Sequence, residues 1–252
     1  MEWSIWNFVA ALGGGVLVAG VVGFLILLIQ GDAELTTTLI IWSVISQQLG
    51  SLAVLAYLSR KQGTGSFATD FGFALKLEHW WGLPAGAALQ IGVAIITAPL
   101  IQLLFPEGPP EQSIVAVTET SQTAVEVVLL LVALVLLAPL TEELMFRGML
   151  TSRLLRSMAV WWAIITQAAV FALIHLADPE AIAALPGLFL IAVVLGYAAL
   201  RVGNISLSLT LHAGVNLTAA LLLLFGGPLL EWLDEMAGLE PAESVIRFVL
   251  GA

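Results

Sequence analysis

The stretch VVLLLVALVLLAPLTEELMFRG, residues 127–148, decides the fold of this chain. Its first two thirds are apolar, and Glu142, Glu143 and Arg147 follow before the apolar run ends. An apolar run of roughly 20 residues spans a bilayer core, and lipid offers the backbone no hydrogen-bond partner, so this stretch is predicted to be a transmembrane helix. Its charged side chains must then face the protein interior or a wet cavity.

The composition of the whole chain extends this interpretation. Apolar residues make up 60% of the 252 positions and charged residues 10%, whereas soluble domains average about 45–50% and about 25%. The sequence therefore predicts one integral membrane domain over residues 1–252, folded as an all-α bundle of seven spans with a C-terminal interfacial helix at Leu229–Ala252. The predicted spans are Trp6–Ile29, Thr36–Leu58, Trp81–Leu104, Val125–Leu150, Val160–Leu176, Ala183–Leu200 and Ile205–Phe225.

Charge is distributed unevenly between the predicted loops. Seven of the eight Lys and Arg residues lie within span four or in the loops after spans two, four and six, and the other loops are acidic. The positive-inside rule then predicts a cytoplasmic N-terminus and a C-terminus outside. The net charge of −10 argues against a nucleic-acid partner. The first apolar run lacks basic flanking residues and a cleavage site, which favours a first span over a cleavable signal peptide.

The spacing of the charges in span four separates their predicted roles. Glu143 and Arg147 are four residues apart with the acid first, the favourable order for a helical ion pair. Glu142 points about 100° away, so we assign Glu143 and Arg147 to structure and Glu142 to chemistry. Pro139 removes one helical hydrogen bond and is expected to kink the helix near the Glu142 carboxylate. One buried ion network without catalysis is the alternative.

Two histidines in other spans complete a candidate site. His175 ends span five, and His212 lies in span seven one turn before Asn216, on the same face. Glu142, His175, His212 and Asn216 are together able to activate water and stabilise an oxyanion. At 1.5 Å per residue the depths of the three ionisable groups differ by about 10 Å, which requires a tilted span five or a break near Asp178-Pro179.

Small and amide residues in the other spans are predicted to serve packing. Gly82 and Gly86 form a small-xxx-small pair at the start of span three. Four glutamines in apolar segments are expected to form hydrogen bonds between helices rather than to take part in catalysis: Gln47, Gln48, Gln90 and Gln167.

Three motifs in this order resemble the CAAX protease and bacteriocin-processing family, which includes the Ras-converting CAAX endoprotease. The family pattern E-E-x-x-x-R, F-x-x-x-H and H-x-x-x-N stands here as Glu142–Arg147, Phe171–His175 and His212–Asn216, within Val125 to Phe225. The resemblance implies an intramembrane protease in which Glu142, helped by His175, activates water, and His212 and Asn216 stabilise the oxyanion. It implies that Glu143 and Arg147 hold the helix and that Phe171 packs near His175.

Metal dependence and function class stay open at the level of sequence. Glu142, His175 and His212 would supply a two-His, one-Glu zinc site, but the H-E-x-x-H spacing of common zinc proteases is absent. The chain has no cysteine for a thiol nucleophile or metal ligand. The expected substrate is a membrane-associated peptide or protein. A non-catalytic scaffold or immunity protein and a proton-coupled transporter are the alternatives, although the two-fold repeat typical of transporters is missing.

Overall fold

The computed structural model describes residues 2–31, 36–110 and 123–237, with side chains up to residue 225. Every regular element in these ranges is helical, and seven of the helices are long and apolar enough to cross a membrane. The predicted fold class, a polytopic all-α bundle, is therefore confirmed, and the chain is a multi-pass membrane protein.

The helices begin and end within a few residues of the predicted spans, except that the last one continues further. Short 3₁₀ turns at Leu77–His79, His175–Ala177 and Pro179–Ala184 join some of them. In chain order the helices are α1 (Ile5–Gln30), α2 (Thr37–Gln62), the short α3 (Phe67–Phe71), α4 (Gly82–Leu104), α5 (Ala124–Leu154), α6 (Val160–Ile174), α7 (Leu185–Val202) and α8 (Ser206–Ala237).

Helix α5 carries the charged motif and is irregular along its length. Two π-helical stretches, Val132–Leu137 and Glu143–Leu150, lie on either side of a single α-helical turn at Ala138–Glu142. The helix continues through Pro139, and its hydrogen-bond pattern changes before and after the proline; the predicted kink stays a prediction. Single π-helical turns inside α-helices are frequent at functional sites.

Close backbone contact positions α8 against α4. A Cβ atom added at Gly86 would collide with the Leu211 carbonyl oxygen, and one added at Gly214 would collide with the Leu83 carbonyl. The predicted small-xxx-small pair accordingly lies at a helix–helix contact, where small residues let two backbones approach. Since Leu211 and Gly214 flank His212, this contact sets the position of the histidine relative to α4.

The loop between α2 and α4 packs at one end of the helix bundle. It encloses the carboxylate of Asp70, which is buried. This carboxylate accepts hydrogen bonds from the Ser59 hydroxyl and from the backbone N–H and hydroxyl of Thr64. Trp3 donates its indole N–H to the Asp70 carbonyl oxygen at 2.9 Å and stacks on Phe71. These contacts connect the residues before α1 to the α2–α4 loop.

The same loop reaches the two helices that carry the candidate site. Gly148 of α5 lies directly against the Phe71 backbone, and the N–H of Ile205, just before α8, donates to the Gly72 carbonyl oxygen at 3.0 Å. The short helix α3 was not anticipated from the sequence. Its five residues are too few for a helical period to be recognised in the sequence.

Helix α8 is longer than the predicted seventh span. Its backbone continues as helix from Ser206 through Gly226-Gly227-Pro228 to Ala237, so there is no break before Leu229. The predicted interfacial helix therefore starts as a continuation of α8. Side chains from residue 226 onward and all of residues 238–252 lie outside the described part of the chain, so the contact of this tail with the membrane surface stays a prediction.

Candidate active site

Glu143 and Arg147 form the buried ion pair expected from their spacing. Arg147 Nη1 lies 2.8 Å from Glu143 Oε1, and neither side chain is exposed. The other Arg147 terminal nitrogen, Nη2, donates to the Ala192 carbonyl oxygen of α7 at 3.2 Å, and the guanidinium lies 5.1 Å from the centre of the Phe171 ring. A planar guanidinium can hold a carboxylate, a carbonyl and an aromatic face at once, which a lysine ammonium cannot.

His212 of α8 connects the two neighbouring glutamates. Its Nδ1 atom lies 2.9 Å from Glu143 Oε1, and its Nε2 atom lies 3.6 Å from Glu142 Oε2. Because Glu143 is paired with Arg147 it is ionised and can only accept, so His212 Nδ1 carries the proton. In the neutral imidazole, Nε2 then presents a lone pair towards Glu142.

The two adjacent glutamates differ in exposure at the protein surface. The Glu143 side chain is fully enclosed, whereas 20% of the Glu142 side chain is exposed. A carboxylate that is balanced and inaccessible is suited to hold other groups in place. A carboxylate that is accessible and beside an imidazole is suited to exchange protons with water.

Phe171 of α6 lies between the two histidines. Its ring centre is 4.9 Å from that of His175 and 5.9 Å from that of His212. His175 Nδ1 lies 2.8 Å from the Phe171 carbonyl oxygen, which can only accept, so the His175 proton is on Nδ1 and Nε2 is left as an acceptor. Both imidazoles thus have Nδ1 fixed by the protein and Nε2 available.

Helix α6 ends at Ile174, immediately before His175. A 3₁₀ turn follows at His175–Ala177, and Asp178 is extended before the next 3₁₀ turn at Pro179–Ala184. The chain therefore breaks close to Asp178-Pro179, one of the two ways in which the mismatch in depth was expected to be resolved. The break places His175 at the end of a helix, half-buried.

Asn216 faces α5 one turn beyond His212. Its Nδ2 atom donates to the Leu134 carbonyl oxygen at 2.8 Å, in the first π-helical stretch, Val132–Leu137. An asparagine amide has two N–H donors, so one remains for a ligand while the other fixes the side chain. The sequence identified Asn216, but no sequence signal indicated a backbone carbonyl as its anchor.

The three side chains considered as zinc ligands do not form a ligand cluster. Within the part of the chain that the structure describes, no group of three or more His, Cys, Asp or Glu side chains is arranged to hold a metal ion. His212 directs Nδ1 to Glu143, and His175 directs Nδ1 to a backbone carbonyl. Since these contacts leave Nε2 of both histidines free, zinc at Glu142, His175 and His212 stays a prediction, and no step below runs through a metal.

A comparison with protein families places these motifs in a known context. A family model described as type II CAAX prenyl endopeptidase Rce1-like matches residues 124–218, the segment that contains all the candidate site residues. No match was found among curated proteins or among solved structures. Over residues 124–218, the chain is thus similar to the Rce1-like family of type II CAAX prenyl endopeptidases, a family of proteases.

Proposed function

We propose that this protein is an intramembrane endopeptidase that hydrolyses a membrane-associated peptide or protein with a water molecule activated by Glu142. The observation that carries the proposal is the pairing of an accessible carboxylate, Glu142, with the Nε2 atom of His212 at 3.6 Å. The adjacent Glu143, Arg147 and His212 contacts supply the fixed geometry that such a pair needs.

The proposed reaction uses Glu142 as general base. Its carboxylate takes a proton from water as the water oxygen attacks the scissile carbonyl carbon, with His175 helping to orient the water through Nε2. Glu142 passes this proton to Nε2 of His212, 3.6 Å away, which converts the imidazole to imidazolium. The carbonyl oxygen becomes an oxyanion, which accepts hydrogen bonds from the free N–H of Asn216 and from Nε2–H of His212. The proton then returns from His212 to Glu142, which gives it to the leaving amine as the C–N bond breaks.

The expected substrate is anchored in the membrane, because the site lies on membrane-spanning helices. Similarity to a CAAX prenyl endopeptidase family over residues 124–218 favours prenylated peptides with a short C-terminal tail as the first substrates to test. Other membrane-associated peptides, including those processed for secretion, belong to the same proposal.

Replacing Glu142 tests the mechanism. We expect Glu142→Gln to lower turnover of a quenched-fluorescence farnesylated peptide by about 10²–10⁴-fold, because the amide cannot take a proton. The assay uses protein in liposomes, with the unprenylated peptide as a second substrate. Glu78→Gln is the matched control, since Glu78 is an exposed glutamate in the α3–α4 segment and should leave turnover unchanged. Retained cleavage by Glu142→Gln would overturn the proposed mechanism, and no cleavage of either peptide by the wild type would overturn the CAAX-type substrate.

We also propose that the N-terminus is cytoplasmic and the C-terminus outside. The chain contains no cysteine, so a single introduced cysteine reports its own side of the membrane. With a membrane-impermeant maleimide on intact cells, we expect Glu107→Cys to be labelled and Lys61→Cys to be labelled after permeabilisation alone. The opposite pattern would reverse the proposed orientation.

A further inference from the structure

Gln167 is a buried residue of α6, on the helix that carries Phe171 and His175 of the candidate site. It lies one helical turn before Phe171 and two turns before His175, so the three side chains share a face of the helix. Its side chain is completely enclosed. Gln167 is not part of the three motifs that define the resemblance.

The Gln167 amide has a defined orientation. Its Nε2 atom donates to the Ile164 carbonyl oxygen at 3.1 Å and to the Ala192 carbonyl oxygen at 2.9 Å. Turning the amide over would set its oxygen against two acceptors, so this orientation is the one that chemistry allows. In the described structure Gln167 Oε1 has no hydrogen-bond partner. An apolar side chain would avoid that unpaired atom, which favours a role for the donor group.

The Ala192 carbonyl is the point where Gln167 meets the ion pair. It accepts from Gln167 Nε2 and from Arg147 Nη2, at 2.9 and 3.2 Å. Arg147 in turn binds Glu143, which accepts from Nδ1 of His212. An unbroken series of contacts thus leads from the Gln167 amide to the imidazole.

We propose that Gln167 is a positioning residue for the reaction. By holding the Ala192 carbonyl, it fixes the second anchor of Arg147, so that Glu143 keeps the His212 ring turned with Nε2 towards Glu142. Gln167 touches neither the substrate nor the reacting atoms, and the inference rests on the proposed function for its catalytic consequence. The contrasting interpretation is hydrogen-bonded packing between α6 and α7 alone.

Two substitutions disturb the hydrogen bond from Gln167 to the Ala192 carbonyl oxygen in different ways. Gln167→Met keeps the length of the side chain and removes the donor. Gly196→Ala leaves every polar group in place, but its Cβ would lie 2.7 Å from Gln167 Nε2 and displace the amide. Because Gly196→Ala does not delete the amide, it also tests the inference should Gln167→Met fail to fold.

Each substitution has a matched control. Gln62→Met removes a different interhelical hydrogen bond, from Asn7 Nδ2 to Gln62 Oε1 at 2.9 Å between α1 and α2. Gly187→Ala adds a methyl group on the same helix as Gly196, where the nearest atom is Val93 Cγ1 at 3.4 Å. Neither control lies in the series of contacts that leads to His212.

The first readout does not depend on activity. The chain has three histidines, so ¹⁵N-labelled imidazoles give few resonances, assigned with His79→Gln and His175→Gln. We expect Gln167→Met and Gly196→Ala to shift the His212 Nδ1 resonance, with His79 unchanged and both controls at the wild-type position. An unshifted His212 resonance in the disturbed variants overturns the inference, even if the proposed function holds.

The second readout is the kinetic pattern. We expect Gln167→Met to lower kcat by about 10-fold with little change in KM, since displaced catalytic groups typically cost one to two orders of magnitude. Gln62→Met should keep the wild-type kcat. A loss of kcat that matches the lost folded fraction overturns a positioning role. If the wild type cleaves no peptide but His212 shifts as expected, the proposed function fails while the Gln167–His212 coupling stands.

Discussion

The carboxylates of Glu143 and Asp70 are both buried, yet they are balanced by different kinds of partner. Glu143 lies within a membrane span and accepts from a guanidinium and an imidazole. Asp70 lies in the α2–α4 loop and accepts from two hydroxyls and a backbone N–H. Neutral donors suffice at the end of the bundle, where water is near.

The difference shows why the ion pair and the site occur together. A charge deep in a membrane protein requires a full countercharge or the loss of its own charge. Once Arg147 neutralises Glu143, a second carboxylate one residue away, Glu142, can remain accessible beside His212. In this arrangement Arg147 is what permits a second acid at the same depth.

Of the changes that test this comparison, removing Arg147 should lower the stability of the protein most. Arg147→Met leaves the Glu143 carboxylate without its counterion in a fully enclosed position, and breaking one partner of a buried pair costs about 3–5 kcal/mol. Unfolding in mixed detergent micelles measures the loss. The double variant Arg147→Met with Glu143→Leu removes both charges and should recover most of the stability, though not the activity. A stable single variant would show that Glu143 is not held as a charge.

Much of this site could be predicted from the sequence, because it depends on local spacing. The four-residue separations of Glu143 from Arg147, of Phe171 from His175 and of His212 from Asn216 are set by helix geometry. The lengths of the apolar runs likewise follow from bilayer thickness. Both the spacing and the run lengths can be recognised in the sequence without knowing which helices are neighbours.

The rest depends on contacts between helices and leaves no local pattern. The π-helical stretches of α5 and the Leu134 and Ala192 carbonyls that hold Asn216 and Arg147 are settled by packing. That His212 reaches both Glu142 and Glu143 could not be read from the spacing, which placed the two acids on different parts of the helix surface. A π-helical stretch beginning at Glu143 alters that spacing.

Gly148 lies where the helix that carries Glu143 meets the segment that carries Asp70, and its substitution should have the second-largest effect. A Cβ at Gly148 would lie 2.6 Å from the Phe71 carbonyl oxygen and 2.8 Å from the Phe71 Cβ. The backbone of the α3 segment must move to accommodate it, and overpacking of this kind costs about 1–3 kcal/mol.

Gly92→Ala is the matched control for Gly148→Ala, because nothing lies within 4 Å of the added atom. We expect it to be neutral or slightly stabilising, since alanine restricts the unfolded chain. Thermal unfolding in detergent compares the two variants. Equal stabilities would mean that the α2–α4 loop is not packed on α5 in solution.

Lowering the pH should have the smallest effect on stability, and it should act through the Asp70 carboxylate. Burial by itself would raise the pKa of Asp70, but the hydrogen bonds from Ser59, Thr64 and Gly65 outweigh it and hold the pKa below the ordinary 3.8. A carboxyl with a lowered pKa in the folded state stabilises the protein above its unfolded pKa, and this contribution is lost as the pH falls from about 5 through 3.8 towards the folded pKa.

Thermal unfolding between pH 7 and pH 3 measures this contribution, with Asp70→Asn as the comparison. At pH 7, Asp70→Asn should be less stable than the wild type, because its amide sets an N–H against the donors of Ser59 and Thr64. The gap between the two proteins should narrow towards pH 3, because the Asp70 carboxyl of the unfolded wild type takes up a proton there. A gap that is constant with pH would mean that Asp70 contributes through its shape and not its charge, and the contrast with Glu143 would then concern packing rather than electrostatics.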